Sequence, residues 1–261
     1  MIRLGQYLPG DTIVHRLDPR VKILSVVALS LLIFAATPLE IALISAFLAA
    51  VMGAARMTPA HAAEALRPVA VFMAMIFLVH LFFTEGLPLL SLAPLPMRIT
   101  QEGLLRGIYV TWQFAALILA AAVLTRSTPP SELVGGIERL LRPLSRIGIP
   151  SQDLAVMISM ALRFMPMLLE EYDRLRMAQM ARGADFTTGS LALRTRAVSA
   201  LAVPLLLSAF RRADELAVAM EARGYRRGPR TTLRELVFSR HDLGASAVMG
   251  ILILATMVIK G

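Results

Sequence analysis

Two arginines in the second half of the chain stand at matched positions in a repeated pattern. Arg182 and Arg223 each come just before the last residue of the motif D-x-L-x-x-A-x-x-A-R-G, found at residues 173–183 and again at residues 214–224. A guanidinium group carries a planar fork of N–H donors that can bind a carboxylate through two parallel hydrogen bonds. The pattern therefore predicts recognition of acidic groups at two equivalent points.

The usual motifs of enzyme active sites are missing from the sequence. The chain has no cysteine, and its sequence contains no G-x-x-x-x-G-K-S/T, H-E-x-x-H or G-x-S-x-G pattern. Its only lysines are Lys22 and Lys260, so it lacks the lysine of a nucleotide-binding loop. The four histidines are scattered without the spacing of metal ligands. We expect no catalytic residue, no metal site and no cofactor, and hence a protein that is not an enzyme.

The repeated motif has the spacing of a helix that ends at its arginine. Within each copy the leucine, the two alanines and the arginine recur at intervals of three, three and one, which places them along one side of a helix. Gly183 and Gly224 follow the arginines, and glycine is favoured there because it adopts a left-handed conformation without steric cost. Each end is then either an ordinary helix stop with a cation at the negative end of the helix dipole, or a docking tip. Two matched tips suit a partner with two similar grooves, such as a dimer of related subunits.

Composition indicates that most of the chain lies in a bilayer. Of the 261 residues, 57% are hydrophobic and only 17% are charged. Five apolar segments are predicted to cross the membrane: residues 21–37, 41–55, 69–83, 107–125 and 243–259.

The region between the fourth and fifth segments is too polar to span a membrane and too apolar for an ordinary loop. It contains two long helices, each apolar at its start and amphipathic at its end, with Pro166 and Pro204 allowing a bend in the apolar half. A shorter amphipathic helix over residues 131–146 precedes them. We predict an all-α integral membrane protein with about five transmembrane helices, two long coupling helices and one short one on the cytoplasmic side. Its three regions are residues 1–125, 126–240 and 241–261.

The distribution of basic residues predicts the orientation. The formal net charge is +9, and 24 of the 27 Lys and Arg residues fall on one side of the predicted spans. Basic residues near span ends are retained in the cytoplasm. We therefore expect a multi-pass protein of the cell (plasma or inner) membrane with a cytoplasmic N-terminus. The bilayer and its orientation explain the basic excess, so no nucleic-acid partner is expected.

At these residues the sequence resembles the EcfT family, the transmembrane T component of energy-coupling-factor (ECF) transporters. Three segments carry the resemblance: GQYLPGDTIVHRLDPRVK, ALRFMPMLLEEYDRLRMAQMARGADF and PLLLSAFRRADELAVAMEARGY. Two Ala-Arg-Gly signatures in this context are specific, whereas one triplet alone would be weak. The N-terminal segment resembles the branch that serves several substrate-binding proteins more than the cobalt or biotin branches.

The resemblance implies a four-part importer of vitamins or other micronutrients. This chain would be its scaffold, working with two ABC-type ATPase subunits, identical or different, and a small membrane S component that binds the substrate. ATP-driven closure of the ATPases would move the helix ends and so tilt the S component. The residues implied in ATPase docking are Ala181, Arg182, Gly183, Ala222, Arg223 and Gly224.

Two alternatives remain open from the residues. The chain could instead be the permease subunit of a conventional ABC importer, in which case two copies would accompany each ATPase pair.

On the long helices, Glu170, Glu171 and Arg212 fit ion pairs within one helix, and they could also link the two helices where they cross.

Overall fold

The computed structural model describes residues 10–91, 98–143, 151–184, 191–226 and 238–260. The predicted all-α class is confirmed, because helices dominate the described chain. They are α1 (Ile13–Arg16), α2 (Pro19–Ala35), α3 (Pro38–Ala54), α4 (Pro59–Leu66), α5 (Ala70–Phe83), α6 (Gln101–Ser127), α7 (Pro130–Leu141), α8 (Ser151–Ala181), α9 (Leu191–Ala222) and α10 (Arg240–Lys260).

Two compact units make up the chain. One consists of Met1–Ile137 together with Arg234–Gly261, and the other of Glu138–Leu233. The three regions predicted from the sequence have different boundaries and stay a prediction.

All five predicted spans coincide with helices of the first unit. Within the described ranges, three helical stretches are long and apolar enough to cross a bilayer: Pro59–Phe83, Gln101–Ser127 and Arg240–Lys260. The first of these extends ten residues before the predicted start, because a 3-10 turn at Arg67–Val69 joins α4 to α5. Helices α2 and α3 have 17 residues each. At 1.5 Å per residue they are about 25 Å long, somewhat short of a hydrocarbon core of about 30 Å.

A capping residue followed by proline begins three of these helices. Asp18, Thr37 and Thr58 are the N-caps, and the proline that follows each one occupies the first helical turn. Proline fits there because its missing N–H would have no partner in the helix. At Asp18 the cap includes a side-chain hydrogen bond, since its carboxylate accepts from the Arg20 N–H at 2.8 Å.

The core of the first unit lies where α2, α3, α6 and α10 pack together. It contains large apolar side chains from three helices and two small ones from α6: Leu29, Ile33, Ile44, Leu48, Ala116, Ala120, Met249 and Leu252. Ala116 and Ala120 lie one turn apart, which lets neighbouring helices approach α6 closely. Gln113 of α6 also donates to the Ile33 carbonyl at 2.9 Å.

Buried polar groups tie the N-terminus of α2 to α6 and α10. The Lys22 Nζ donates to the carbonyl oxygens of His15 and Ser127, each at 3.1 Å, and to Thr128 Oγ1 at 3.0 Å. The Asp242 carboxylate, only 1% exposed, accepts from the Asp18 N–H at 2.7 Å. The contacts of Lys22 with Ser127 and Thr128, and of Asp18 with Asp242, join residues more than 100 positions apart in the chain.

Helices α5 and α6 pair closely through two glycines of α6. A Cβ on Gly103 would lie 2.7 Å from the His80 carbonyl oxygen, and one on Gly107 would lie 3.1 Å from Phe77. The two glycines are one turn apart, a spacing typical of close helix packing in membranes. Between these helices lies a short antiparallel hairpin of β1 (Pro88–Ser91) and β2 (Arg98–Thr100), which the sequence did not predict.

The second unit contains the two long helices. Helix α8 has 31 residues and α9 has 32, and each continues through its internal proline, Pro166 or Pro204, without a break. The predicted shorter helix corresponds to α7, which starts within one residue of the predicted position and ends five residues earlier.

Candidate docking site at two helix ends

Helix α8 ends in a hydrogen-bonded turn built around Gly183. The Ala184 N–H donates to the Gln179 carbonyl oxygen at 3.0 Å, and the Gly183 N–H donates to that of Met180 at 3.0 Å. Gly183 has a φ of +85°, in the left-handed region. This pair of bonds is the Schellman motif, which satisfies the last carbonyls of a helix. Arg182 is therefore the C-cap residue of α8.

Helix α9 ends in the same way, 41 residues later. The Tyr225 N–H donates to the Met220 carbonyl oxygen at 3.0 Å, and the Gly224 N–H donates to that of Glu221 at 2.9 Å. Gly224 has a φ of +72°. The left-handed glycines predicted from the motif are confirmed at both ends. No atom of another described residue lies within 4 Å of a Cβ added to either one, so the left-handed backbone is what favours glycine there.

Both arginines are exposed at these ends. Their guanidinium groups have no hydrogen-bond or salt-bridge partner among the residues that the structure describes, whereas their backbone N–H groups donate within the helices. The alanine before each arginine and the glycine after it are exposed as well. The six residues predicted for docking thus form two separate groups with the same local structure, one at the end of each long helix.

An exposed apolar residue lies five positions before each arginine, and the motif did not reveal it. Met177 is 63% exposed and Val218 is 67% exposed, and they occupy equivalent positions in the repeat. Both residues are apolar, but one is methionine and the other valine. Aligning the two motif copies by identical residues therefore does not find this position. Each helix end therefore presents an exposed cation about one turn and a half beyond an exposed apolar side chain.

Helices α8 and α9 contact each other at equivalent positions of the repeat. Arg212 Nη2 donates to Glu171 Oε2 at 3.4 Å, and Arg212 also contacts the Met167 sulfur. Arg212 follows Glu171 by the same 41 residues that separate the two motifs. Of the two pairings left open by the sequence, Glu171 thus links the helices, while Glu170 pairs within α8 with Arg174 at 3.6 Å.

The location of this contact makes the two helix ends equivalent. Arg182 lies eleven residues beyond Glu171, and Arg223 lies eleven residues beyond Arg212. Eleven residues of helix are about 16 Å long. Each exposed guanidinium is therefore the same distance along its helix from the helix–helix contact. The guanidinium groups of Arg182 and Arg223 can each bind one carboxylate, on a partner that presents two similar surfaces.

A known family model matches most of the chain. The family model for CbiQ, described as "Cobalt transport protein", matches residues 10–233, a range that includes both helix ends.

Curated relatives match over almost their full lengths. A protein of Heliobacterium modesticaldum is 44% identical over 256 residues, covering 97% of this chain and 96% of its own. A protein of Thermosediminibacter oceani is 40% identical over 259 residues, covering 98% and 97%. One of Bacillus subtilis is 39% identical over 257 residues, covering 98% and 96%. All three are named "Energy-coupling factor transporter transmembrane protein EcfT".

The alignment with these relatives extends over almost the whole chain, including its apolar helices and its two Ala-Arg-Gly helix ends. This chain therefore belongs to the EcfT family of energy-coupling factor transporter transmembrane proteins.

Proposed function

We propose that this chain is the coupling subunit of an ECF-type importer. In this role it passes the conformational change of two ABC-type ATPase subunits to a membrane-embedded S component, which binds a vitamin or another micronutrient. The ATPase subunits are identical or related, and each receives one end of the pair formed by α8 and α9.

The observation that carries the proposal is the equivalence of the two helix ends. Arg182 and Arg223 lie the same number of residues beyond the contact between Glu171 and Arg212. Two like sites on one chain match a partner that has two like surfaces, and dimers with twofold symmetry are the commonest such partners. A dimer of ATPase subunits has this form.

Docking at each end combines a charge with apolar contact. The guanidinium of Arg182 or Arg223 binds a carboxylate in a groove of one ATPase subunit. Met177 and Val218 supply exposed apolar surface about one and a half turns before these cations on the same helices. Alanine and glycine flank the arginines, and their small size lets the groove close around the helix end.

Continuous helices transmit the motion. Helices α8 and α9 have 31 and 32 residues and run without a break from the docking ends to their apolar halves. A displacement of one end therefore moves the whole helix. The apolar halves expose large side chains suited to a membrane-embedded partner, among them Met157, Ile158, Val203 and Leu206. We assign the S component to this surface, and the substrate is chosen by the S component.

In this proposal the chain is not catalytic. Hydrolysis of ATP takes place on the partner subunits, and the purified chain alone hydrolyses none. The protein spans the cell membrane several times with its N-terminus in the cytoplasm, on the same side as the ATPases, as the distribution of basic residues predicts.

Affinity purification of the tagged chain from its native membrane tests the proposal. Wild type is expected to retain two ATPase chains and a small membrane protein. The Arg182→Ala, Arg223→Ala double variant is expected to lose the ATPases and to keep its membrane insertion. The matched control is Arg174→Ala, Arg211→Ala, which removes one exposed arginine from each of the same helices. If the double variant retains the ATPases as well as the control does, the two ends are only helix stops.

The number of copies in the purified complex separates this function from that of a conventional ABC permease. One copy of this chain for each pair of ATPase subunits supports the coupling subunit, because one chain carries both docking ends. Two copies for each pair favour the conventional permease. Native mass spectrometry of the intact complex gives the ratio directly.

A further inference from the structure

A polar cavity of about 270 Å³ lies in the first unit, where α1, α4, the end of α6 and the turn after α3 meet. Two arginines and two histidines lie in its wall: Arg56, Arg126, His15 and His61. These residues come from separate parts of the chain, so the fold itself gathers them.

Arg126 is the buried cation of this cavity. Its residue is 6% exposed, and its Nη2 donates to Glu64 Oε2 at 2.8 Å. Its Nε is buried and has no acceptor among the described residues. A buried donor without a partner is costly, and such groups are rare in folded proteins. Arg126 therefore offers an N–H to an acceptor that is not one of these protein groups.

Arg56 occupies a position where this chain otherwise uses glycine. Helix α3 ends in a Schellman motif, with the Met57 N–H donating to the Met52 carbonyl oxygen and the Arg56 N–H to that of Gly53, both at 2.9 Å. Arg56 has a φ of +53° and is the only non-glycine residue with positive φ in the described chain. The same motif at the ends of α8 and α9 has glycine. A non-glycine residue in this conformation costs free energy, and such strain clusters at ligand sites.

The carboxylates near the cavity do not cancel its positive charge. Asp11 lies in the wall, but both of its oxygens accept from Arg16 at 2.8 Å. The hydrogen bonds and charge of Arg16 hold the pKa of that carboxyl below its usual value. Glu64 faces Arg126, and its side chain is 70% exposed. The positive charges of Arg16, Arg56 and Arg126 thus exceed the negative charges of Asp11 and Glu64. This net positive charge favours binding of an anion.

We propose that this cavity binds a phosphate group, with Arg56 and Arg126 as its main ligands. The guanidinium fork matches phosphate oxygens as it matches a carboxylate, and a second fork from another helix completes a clamp. The site lies in the first unit and shares no residue with the docking ends, so it does not depend on the proposed function.

A phosphate group can come from a phospholipid or from a small soluble anion. An apolar cavity of about 480 Å³ lies beside the polar one, and Val123 and Ser127 line both. Its other walls include Leu29, Phe47 and Met249. A polar cavity next to an apolar one is the arrangement that an anionic headgroup and its acyl chain require.

Two binding measurements on the purified full chain in detergent distinguish these sources. Native mass spectrometry records retention of phosphatidylglycerol and of phosphatidylcholine, and isothermal titration calorimetry records binding of inorganic phosphate. The variants are Arg56→Gly, which fits the left-handed backbone, and Arg126→Gln, which keeps a polar side chain. Arg67→Gln is the control, because Arg67 is exposed just after the last residue of α4 and does not line the cavity.

We expect wild type and Arg67→Gln to bind alike, and each cavity variant to bind at least about tenfold more weakly, the loss expected for a charge-assisted hydrogen bond. Preferential loss of phosphatidylglycerol identifies a lipid headgroup as the source, and loss of inorganic phosphate identifies a soluble anion. The proposal is overturned if neither probe binds wild type, or if Arg56→Gly and Arg126→Gln bind as wild type does.

Discussion

Gly183 and Gly224 each combine two properties that decide what a substitution would do. Both have positive φ, and in the part of the chain that the structure describes no other residue has an atom within 4 Å of the position that a Cβ would occupy. An added methyl group therefore meets no neighbour, and its whole cost comes from the left-handed backbone. For an L-residue other than glycine that cost is about 1 kcal/mol.

Gly224→Ala is expected to loosen the last turn of α9 and leave the rest of the protein folded. The amide of Tyr225, which closes the turn onto Met220, should exchange its hydrogen several-fold faster, in line with a loss of about 1 kcal/mol. Hydrogen exchange measured by mass spectrometry on peptides that cover the end of α9 checks this.

Gly224→Asn is the matched control. Asparagine tolerates the left-handed conformation better than other non-glycine residues, so its effect should be smaller. Equal exchange rates for the alanine variant and wild type would show that the Schellman turn does not hold this helix end.

Helix positions followed from the sequence more readily than helix boundaries did. Apolar runs located the helices at all five predicted spans, because burial in lipid selects long uncharged segments. The start of the third span was placed at residue 69 instead of Pro59, because His61, Glu64 and Arg67 break the apolar run although the helix continues through them. Hydropathy therefore locates the boundary between charged and apolar residues. The helix boundary instead lies where the backbone N–H and C=O groups are capped.

The contact between α5 and α6 was not predicted, although its residues are visible in the sequence. Gly103 and Gly107 are one turn apart in α6, and each leaves room for a neighbouring backbone or ring. Glycine in a helix otherwise lowers its stability, so its presence indicates close packing only when the neighbouring helix is known.

Gly103→Ala is expected to lower stability by about 1–3 kcal/mol, since the new methyl carbon would lie 2.7 Å from the His80 carbonyl oxygen and from Thr100 Oγ1. A backbone carbonyl cannot move aside as a flexible side chain can. Thermal unfolding of the purified protein in detergent measures the change.

Gly250→Ala in α10 is the control, because no atom lies within 4 Å of a Cβ there. Alanine is the better helix former, so this variant should unfold at the same temperature as wild type or higher. Should Gly103→Ala behave like Gly250→Ala, the close packing of α5 on α6 would be wrong.

The residues of the candidate docking site and the likeness of its two ends were predicted from the sequence, whereas the contact between its two helices was left open. The motif gave Arg182 and Arg223, and the left-handed glycines followed from helix-capping chemistry. The contact between Glu171 and Arg212 lies at equivalent repeat positions, yet opposite charges count as a mismatch when two copies are aligned. An alignment of the two copies by identical residues therefore does not include Glu171 and Arg212, although their contact lies at the same distance from both helix ends.

Equivalent ends on one chain predict bivalent binding of the ATPase dimer. Once one end is docked, the other binds at a high effective concentration, which raises overall affinity about 10²–10⁴-fold above that of a single end. Arg182→Ala and Arg223→Ala should each remove most of this gain and have similar effects. The double variant should bind no better than background.

Affinity of the detergent-solubilised chain for the purified ATPase dimer, measured in solution, checks this prediction. Arg174→Ala, Arg211→Ala should bind as wild type does, since both residues lie before the docking ends of the same helices. Unequal effects of the two single variants would show that one end carries the binding. In that case the chain would dock through one helix, and the repeat would reflect duplication of a helix stop instead of recognition of two subunits.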